Sequence, residues 1–123
     1  MALGRTWIVL LDDSRARFFV REGSGRLTEA APELKAVHAK GAGPEARRKE
    51  HGRFILAVVG ALDTACDRAA CERIMLVGPE RMLSTMRKAA SDKIRARLWR
   101  EMAAELTGNS EADLAQRLAP HFR

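Results

Sequence analysis

A glycine-rich basic stretch ahead of a long helical pattern is the part of this sequence best suited to binding an anion. Residues 35–53 contain six Lys or Arg and two Glu, a net charge of +4. Glycines let the backbone approach phosphate groups closely, and basic side chains neutralise them. A nucleic-acid contact and an ordinary solvated helix end both fit this pattern, and the sequence leaves the two open. The candidate binding residues are Lys40, Gly41, Gly43, Arg47, Arg48, Lys49 and Arg53.

Two shorter stretches alternate arginine with an aromatic residue, which places the cations and the ring on one side of a strand. An aromatic ring between cations can stack a nucleic-acid base. The more common arrangement is a face covered by another segment, with the arginine stems lying along it. The first stretch adds Arg15 and Arg17 to the candidate nucleic-acid-binding residues, and the second is a candidate face for a protein partner. Their alternating residues are Arg15, Arg17, Phe19 and Arg21 in the first, and Arg95, Arg97 and Trp99 in the second.

Other reactive residue types do not form a catalytic or metal-binding arrangement. Asp12 and Asp13 are adjacent, so their side chains point apart at a strand end, and no third carboxylate follows at a matching position. We interpret Asp13 as a turn residue that accepts backbone N–H hydrogen bonds. Ser14 and Ser84 have no histidine or aspartate partner at a recognisable spacing. The sequence therefore predicts no catalytic residue, no metal site and no cofactor, and a protein that is not an enzyme.

Composition indicates one domain spanning all 123 residues, with 46% hydrophobic residues, 31% charged residues and a net charge of +6. The basic balance favours a polyanionic partner, although solubility alone also accounts for it. Cys66 and Cys71 match neither a CxxC pair nor a zinc-ligand spacing, and they fit the free thiols of a reducing cytosol. No apolar run reaches the length of a signal-peptide core or the roughly 20 residues of a membrane span. We therefore expect a cytoplasmic location.

Three strands are predicted ahead of the basic stretch. The first is an unbroken apolar run, typical of a central strand covered on both faces. The second alternates apolar and polar residues, and the third follows a glycine-containing turn. After the third strand the periodicity is lost until Pro44. The predicted bounds are residues 6–11, 16–21 and about 26–31, with a polar turn at 12–14.

The rest of the chain alternates helices with strands. A long helix begins near Pro44, a residue suited to a first turn, and carries apolar residues at three-to-four spacing. A buried strand at 73–78 and a helix at about 80–90 follow, and the alternation of 93–100 predicts a half-buried strand. Ser110 opens a capping box for the last helix. This order predicts an α/β fold in which helices pack on a mixed sheet of about five strands.

Several short motifs resemble the bacterial family of proteins required for attachment to host cells. Together they cover essentially the whole chain, although the loop between Leu34 and Glu50 is shorter than is usual in that family. The last motif is Glu-Leu-Thr here, at the place where the family usually has Asp-Leu-Thr. The matching positions are residues 7–11, Asp13, Ala16, Arg17, residues 54–62, residues 74–79, Leu83, Met86, Arg87 and residues 105–107.

This family in turn is similar to the middle domain of archaeal and eukaryotic peptide-chain release factors, which implies a ribonuclease H-like architecture. In release factors a basic Gly-Gly-Gln loop before the long helix promotes ester hydrolysis in the ribosome. Lys40, Gly41 and Gly43 lie at the corresponding place, but the chain's one glutamine is Gln116. Without a side chain to orient the attacking water, the hydrolytic step loses its chemistry.

The expected function is therefore that of a non-enzymatic module that contacts RNA or the ribosome through the basic stretch. The alternative is an interaction protein that supports attachment to host cells or surfaces without binding nucleic acid. The sequence leaves the oligomeric state undetermined.

Overall fold

The computed structural model describes residues 5–23, 25–36, 43–68 and 71–122. The strands are β1 (Thr6–Leu11), β2 (Arg15–Arg21), β3 (Leu27–Lys35), β4 (Arg73–Gly78) and β5 (Leu98–Ala103). The helices are α1 (Pro44–Asp67), α2 (Glu80–Ala89), α3 (Asp92–Arg97) and α4 (Glu111–Leu118), with a final 3₁₀ turn at Ala119–Phe122. The strands form one mixed sheet in the order β3-β2-β1-β4-β5. The predicted α/β architecture of about five strands is confirmed.

Strand β1 lies at the centre of the sheet. It pairs with β2 in the antiparallel direction and with β4 in the parallel direction. All six of its residues are buried, because helices cover both faces of the sheet and leave no solvated side for polar residues. The prediction of a central strand from the unbroken apolar run is confirmed.

The two faces of the sheet are covered by different helices. Helices α1, α2 and α3 pack on one face, and α4 with the 3₁₀ turn packs on the other. Neighbouring residues along a strand point to opposite faces, so Phe18 faces α1 and Phe19 faces α4, and both are fully buried. A cation or aromatic residue on β2 therefore belongs to one helix layer or the other.

Strand β3 is longer than the sequence predicts. The expected end near residue 31 is wrong, because pairing with β2 continues to Lys35. The register between the two strands shifts on either side of Phe18. Pro32 has no backbone N–H to donate, but β3 is an edge strand, so no hydrogen bond to a further strand is lost. The bulges accommodate the shift in register between β2 and β3.

The predicted strand at 93–100 is wrong in its first half, where the chain forms helix α3. The Ser91 hydroxyl accepts a hydrogen bond from the Ile94 backbone N–H at 3.2 Å and caps this helix. Ile94 is its one buried residue. The alternation of apolar and basic residues therefore arises from a short helix followed by β5, and the side chains of 95–99 do not share one strand face.

The other predicted elements are confirmed. Helix α1 begins at Pro44, β4 has the predicted bounds, and α2 ends one residue before Ala90. The Ser110 side chain accepts a hydrogen bond from the Asp113 backbone N–H at 3.2 Å, as expected of the predicted N-cap. None of the helices in the described ranges combines the length and hydropathy needed to cross a bilayer.

Candidate nucleic-acid interface

The first turns of α1 carry the predicted basic side chains. Gly43 is the N-cap of this helix, it provides no side-chain hydrogen bond, and Pro44 occupies the first helical position. The free backbone N–H groups and the helix dipole give such a terminus a partial positive charge. We call residues 43–53 the basic helix start. Lys40 and Gly41 of the predicted set lie outside the described residues.

The cations of the basic helix start are exposed, and their positions destabilise the helix that carries them. Residues 43–49 and Arg53 are all exposed, whereas burial begins at Phe54. Four basic and two acidic residues give this segment a net charge of +2. Cations near a helix N-terminus cost about 0.3–1 kcal/mol each, and Lys49 and Arg53 are like charges four residues apart, which is also unfavourable.

Within the described ranges, these cations have no hydrogen-bond or ion-pair partner; the set is Arg47, Arg48, Lys49 and Arg53. Their charge is therefore available to an external ligand. Local rules of helix stability are broken here without an internal compensation, a pattern expected where a segment serves binding.

A second basic segment, residues 80–100, contains seven Lys or Arg and two acidic residues, but most of its cations are engaged internally. Arg81 pairs with Asp13, and Lys93 pairs with Asp67. Arg87 contacts carboxylates on both sides, at 3.0 Å from Glu80 and 2.9 Å from Glu101. Although its net charge of +5 is larger, this segment is thus a poorer candidate for binding an anion than the basic helix start.

The predicted Arg95/Arg97/Trp99 face does not form. Arg95 donates to the Arg87 and Lys88 carbonyl oxygens at the end of α2. Arg97 donates to the Cys71 carbonyl oxygen at 3.2 Å. Trp99 belongs to the next strand and packs in the α4 layer. A protein contact through these three residues as one face, expected from a strand alternation, has no basis in the observed helix.

Two apolar grooves flank α1 where the basic helix start meets its packed part. One, of about 310 Å³, lies between α1 and the end of β3 and is lined by Leu34, Glu50, Arg53 and Phe54 among others. The other, of about 390 Å³, lies between α1 and α2. Lys88 of α2 lines the second groove beside His51. The sequence analysis did not include Lys88, because its proximity to α1 depends on how the two helices pack.

Arg15 and Arg17 lie apart from the basic helix start. They share the sheet face of Phe19, on the side of α4. Arg15 pairs with Asp12 at 3.7 Å and with Glu33 at 3.5 Å. Arg17 donates to the Thr107 and Asn109 carbonyl oxygens at 2.9 and 2.7 Å. Because both guanidinium groups hold the protein's own segments together, we do not include them in the proposed interface.

The polar turn after β1 has a structural role, and its hydrogen-bond acceptor is Asp12. The expectation that Asp13 accepts the backbone hydrogen bonds is wrong, because Asp12 Oδ1 accepts from the Ser14 and Arg15 N–H groups at 2.7 and 2.8 Å. Asp12 Oδ2 accepts from the buried Thr107 hydroxyl at 2.6 Å. Burial alone would raise the pKa of Asp12, but the Thr107 hydrogen bond, the two backbone donors and the charge of Arg15 together lower it.

The glutamine and the two cysteines of the chain lie away from the basic helix start. Gln116 lies on α4, on the opposite side of the sheet from α1. Cys66 and Cys71 are free and buried, and burial and the neighbouring Cys66 raise the pKa of Cys71 to about 12, which keeps this thiol protonated. In the described part of the chain, no three His, Cys, Asp or Glu side chains are grouped to hold a metal ion.

Comparison with known families identifies the chain. The family described as "Protein required for attachment to host cells" matches residues 31–118, which is well over half of the sequence. The chain belongs to this host-attachment family. The resemblance inferred from the short motifs is therefore confirmed. A comparison with curated protein sequences finds no match.

Solved structures place this host-attachment protein among release-factor folds. The crystal structure of the archaeal translation termination factor aRF1 superimposes with a TM-score of 0.63 at 11% identity, over 96% of this chain and 39% of that one. A second structure, described as an archaeal protein, gives a TM-score of 0.58 at 11% identity, over 96% and 38%. The host-attachment chain thus spans less than two fifths of these relatives. At this identity the likeness concerns the fold, and the predicted release-factor-like architecture is confirmed.

Proposed function

We propose that the protein is a non-enzymatic module that contacts RNA, in the form of ribosomal RNA or tRNA, through the basic helix start. The observation that carries this proposal is the set of exposed cations at the positive end of α1 that no described residue neutralises. The fold supports it, since the superimposed aRF1 is an archaeal translation termination factor. The corresponding contact in this chain is our proposal.

The chemistry of the basic helix start suits a phosphate backbone better than a base edge. Arginine, lysine and free N–H groups at a helix N-terminus are standard phosphate ligands. His51 carries the one aromatic ring ahead of Phe54 in α1, and Phe54 is buried, so this segment offers no exposed Phe, Tyr or Trp ring for stacking. The proposed contact is therefore electrostatic, tolerant of sequence and strongly dependent on salt.

The absence of catalysis is part of the proposal. Release-factor hydrolysis needs a glutamine beside the scissile ester, and Gln116 lies in the other helix layer. A hydrolytic role would thus require a different group to orient the attacking water. Hydrolysis of peptidyl-tRNA by the purified protein would contradict this part of the proposal.

A salt series with a matched pair of variants tests the RNA contact. We expect filter binding of tRNA and ribosomal RNA to weaken steeply with salt for the native protein. Arg48→Glu should reduce the slope of log affinity against log salt by about one or more, because a phosphate contact is lost. Arg117→Glu is the control, since it makes the same change in charge at an exposed site on α4.

Two outcomes would contradict the RNA proposal. One is a native protein that shows no salt-dependent affinity for either RNA. The other is an equal loss of slope in Arg48→Glu and Arg117→Glu, which would indicate a response to net charge without a defined interface.

The second candidate function is an interaction that supports attachment to host cells without nucleic acid. The description of the family favours it. Separation of cells into cytosolic and surface fractions distinguishes the two candidates. Recovery of the protein at the cell surface would favour the attachment role, and co-purification with ribosomal particles across a salt series would favour RNA binding.

A further inference from the structure

Three arginines converge on two aromatic rings at the end of the sheet where β1 and β4 begin. Arg73 opens β4, Arg21 ends β2, and Arg100 lies on edge strand β5. Their guanidinium groups surround Trp99 and Phe122. We call these five residues the arginine–aromatic cluster.

The rings hold the guanidinium groups in place. The Arg73 Cζ atom lies 3.6 Å from the Trp99 ring centroid, and the Arg100 Cζ atom lies 4.6 Å from it. The Arg21 Cζ atom lies 4.1 Å from the Phe122 ring centroid. The two ring centroids are 5.1 Å apart. Cation–π contacts of this kind orient a guanidinium group through its face and leave its N–H donors at the edge for other partners.

A β-bulge brings Arg100 into the cluster. The register of β4 and β5 shifts from Ile74 opposite Leu98 to Met75 opposite Arg100, which leaves Trp99 as an extra residue in β5. Since directly paired residues share a sheet face, Arg100 lies on the face of Met75, which is that of α4. Trp99 packs on this face as well. Without the bulge, regular alternation would place neighbours 99 and 100 on opposite faces.

A glycine makes room for Arg21. Gly25 has φ of 89°, in the left-handed region that residues with a side chain disfavour. A Cβ atom at this position would lie 3.3 Å from Arg21 Nη2, closer than an ordinary contact. The turn between β2 and β3 is thus compatible with a guanidinium group lying against its backbone.

The cluster has an unbalanced positive charge. No carboxylate of the described residues lies within ion-pair distance of Arg21, Arg73 or Arg100. Arg73 Nε donates to the Thr6 hydroxyl at 2.7 Å, and its two terminal nitrogens have no described hydrogen-bond acceptor. Partial burial lowers the pKa of Arg21, and repulsion from the nearby positive charge of Arg73 lowers it further.

We propose that the arginine–aromatic cluster is a binding site for a phosphate group, with Arg21, Arg73 and Arg100 as its ligands. A phosphate offers several anionic oxygens to several guanidinium groups at once and would relieve their mutual repulsion. All three side chains are partly or fully exposed, so a ligand can reach them. The phosphate is either a free anion or the end of a nucleic-acid strand.

This site is separate from the basic helix start. Helix α1 has 24 residues, about 36 Å in length, and leads from the end of β3 towards the start of β4. The cluster lies at the far end of the sheet and on the opposite face. The proposal therefore does not depend on the RNA contact, and either can fail while the other holds.

Tryptophan NMR resonances provide the test, at constant ionic strength. We expect the Trp99 indole signal of the native protein to shift in a saturable manner with inorganic phosphate, while that of buried Trp7 serves as an internal reference. Arg100→Gln and Arg21→Gln should each weaken the binding by about tenfold, because each removes a charge-assisted ligand. Arg81→Gln, the loss of one exposed charge at the opposite end of the sheet, should leave it unchanged.

A second titration with a 5′-phosphorylated uridine dinucleotide identifies the source of the phosphate. Tighter binding than inorganic phosphate indicates a nucleic-acid end, and equal or weaker binding indicates a free anion; both support the site. The proposal is overturned if neither ligand gives a saturable shift of Trp99. It is also overturned if binding persists unchanged in both arginine variants, whose thermal midpoints would show whether they remain folded.

Discussion

At the scale of single residues, Gly78 shows how closely β1 and β4 approach. A Cβ atom at this position would lie 2.8 Å from the Leu11 carbonyl oxygen and 3.2 Å from Leu11 Cβ. The nearest obstacle is a backbone atom of the central strand, which cannot rotate away. The last residue of β4 is therefore restricted to glycine by packing.

We predict that Gly78→Ala lowers the free energy of unfolding by about 1–3 kcal/mol, the usual cost of overpacking a core. Gly108→Ala is the control, because its Cβ would meet only Arg15 Nη2 at 3.5 Å, an ordinary contact. Urea denaturation of both variants measures the difference. Equal stability of Gly78→Ala and the native protein would contradict the packing argument.

Single residues also mark where sequence patterns are ambiguous. The choice between Asp12 and Asp13 as turn acceptor depends on which carboxylate faces Thr107, a residue 95 positions away. Two adjacent aspartates look alike in the sequence, so nothing in it indicates which of them accepts the hydrogen bonds. The same holds for Arg17, whose two carbonyl acceptors belong to a turn that only the tertiary fold brings near.

At the scale of elements, strongly periodic segments were predictable and short ones were not. Helix α1 and strand β1 are long or uniform enough for one period to dominate. Helix α3 has six residues and one buried side chain, so its apolar spacing imitates a strand. Ser91 followed by Asp92 is an N-cap signal for this helix, but the alternation of apolar and basic residues after it favours a strand.

The first half of α1 is predicted to be its less stable half. Gly52 lies between the basic turns and the packed turns, and an added Cβ would meet no atom within 4 Å. Gly52→Ala should therefore stabilise the helix by up to about 1 kcal/mol, with slower amide exchange in residues 47–52. Hydrogen–deuterium exchange measures this local effect.

Gly60→Ala provides the comparison for Gly52→Ala. Gly60 is on the same helix and its added Cβ is equally unobstructed, but the surrounding turns are packed against the sheet. We expect this variant to leave exchange in residues 47–52 as it is. Equal protection of the first turns in both variants would contradict the view that the basic helix start opens independently.

At the scale of the whole molecule, the fold class and layer order follow from the pattern of elements, while the contacts between layers do not. The turn ahead of α4 is joined to the sheet by Thr107 to Asp12 and by Arg17 to Thr107 and Asn109. These contacts link residues about 90 positions apart in the chain. A sequence predicts the elements that carry such residues, but it does not predict the hydrogen bonds between them.

Acid should weaken this link. Because the pKa of folded Asp12 lies below its ordinary value, its stabilisation is present above that ordinary value and is lost as the pH falls through the lowered, folded pKa. Asp12→Asn should cost about 1–2 kcal/mol at neutral pH and should lose less stability than the native protein on acidification. Chemical denaturation at neutral and acidic pH measures both effects.

Asp67→Asn is the control for the acid experiment. The Asp67 side chain is 63% exposed and that of its partner Lys93 is 39% exposed, and ion pairs at such exposed sites contribute little. A pH dependence that is the same in Asp12→Asn and the native protein would show that the Asp12 tie is not a source of acid sensitivity.

The irregular strands at the two margins of the sheet restrict how copies of this chain can associate. Strand β3 is bulged and contains Pro32, and β5 is bulged at Trp99. Neither margin therefore presents a straight row of free peptide groups to an incoming strand, a device that protects β proteins from aggregation. Any assembly of this protein should consequently form through helix surfaces and side chains, and extended fibrillar stacking is disfavoured.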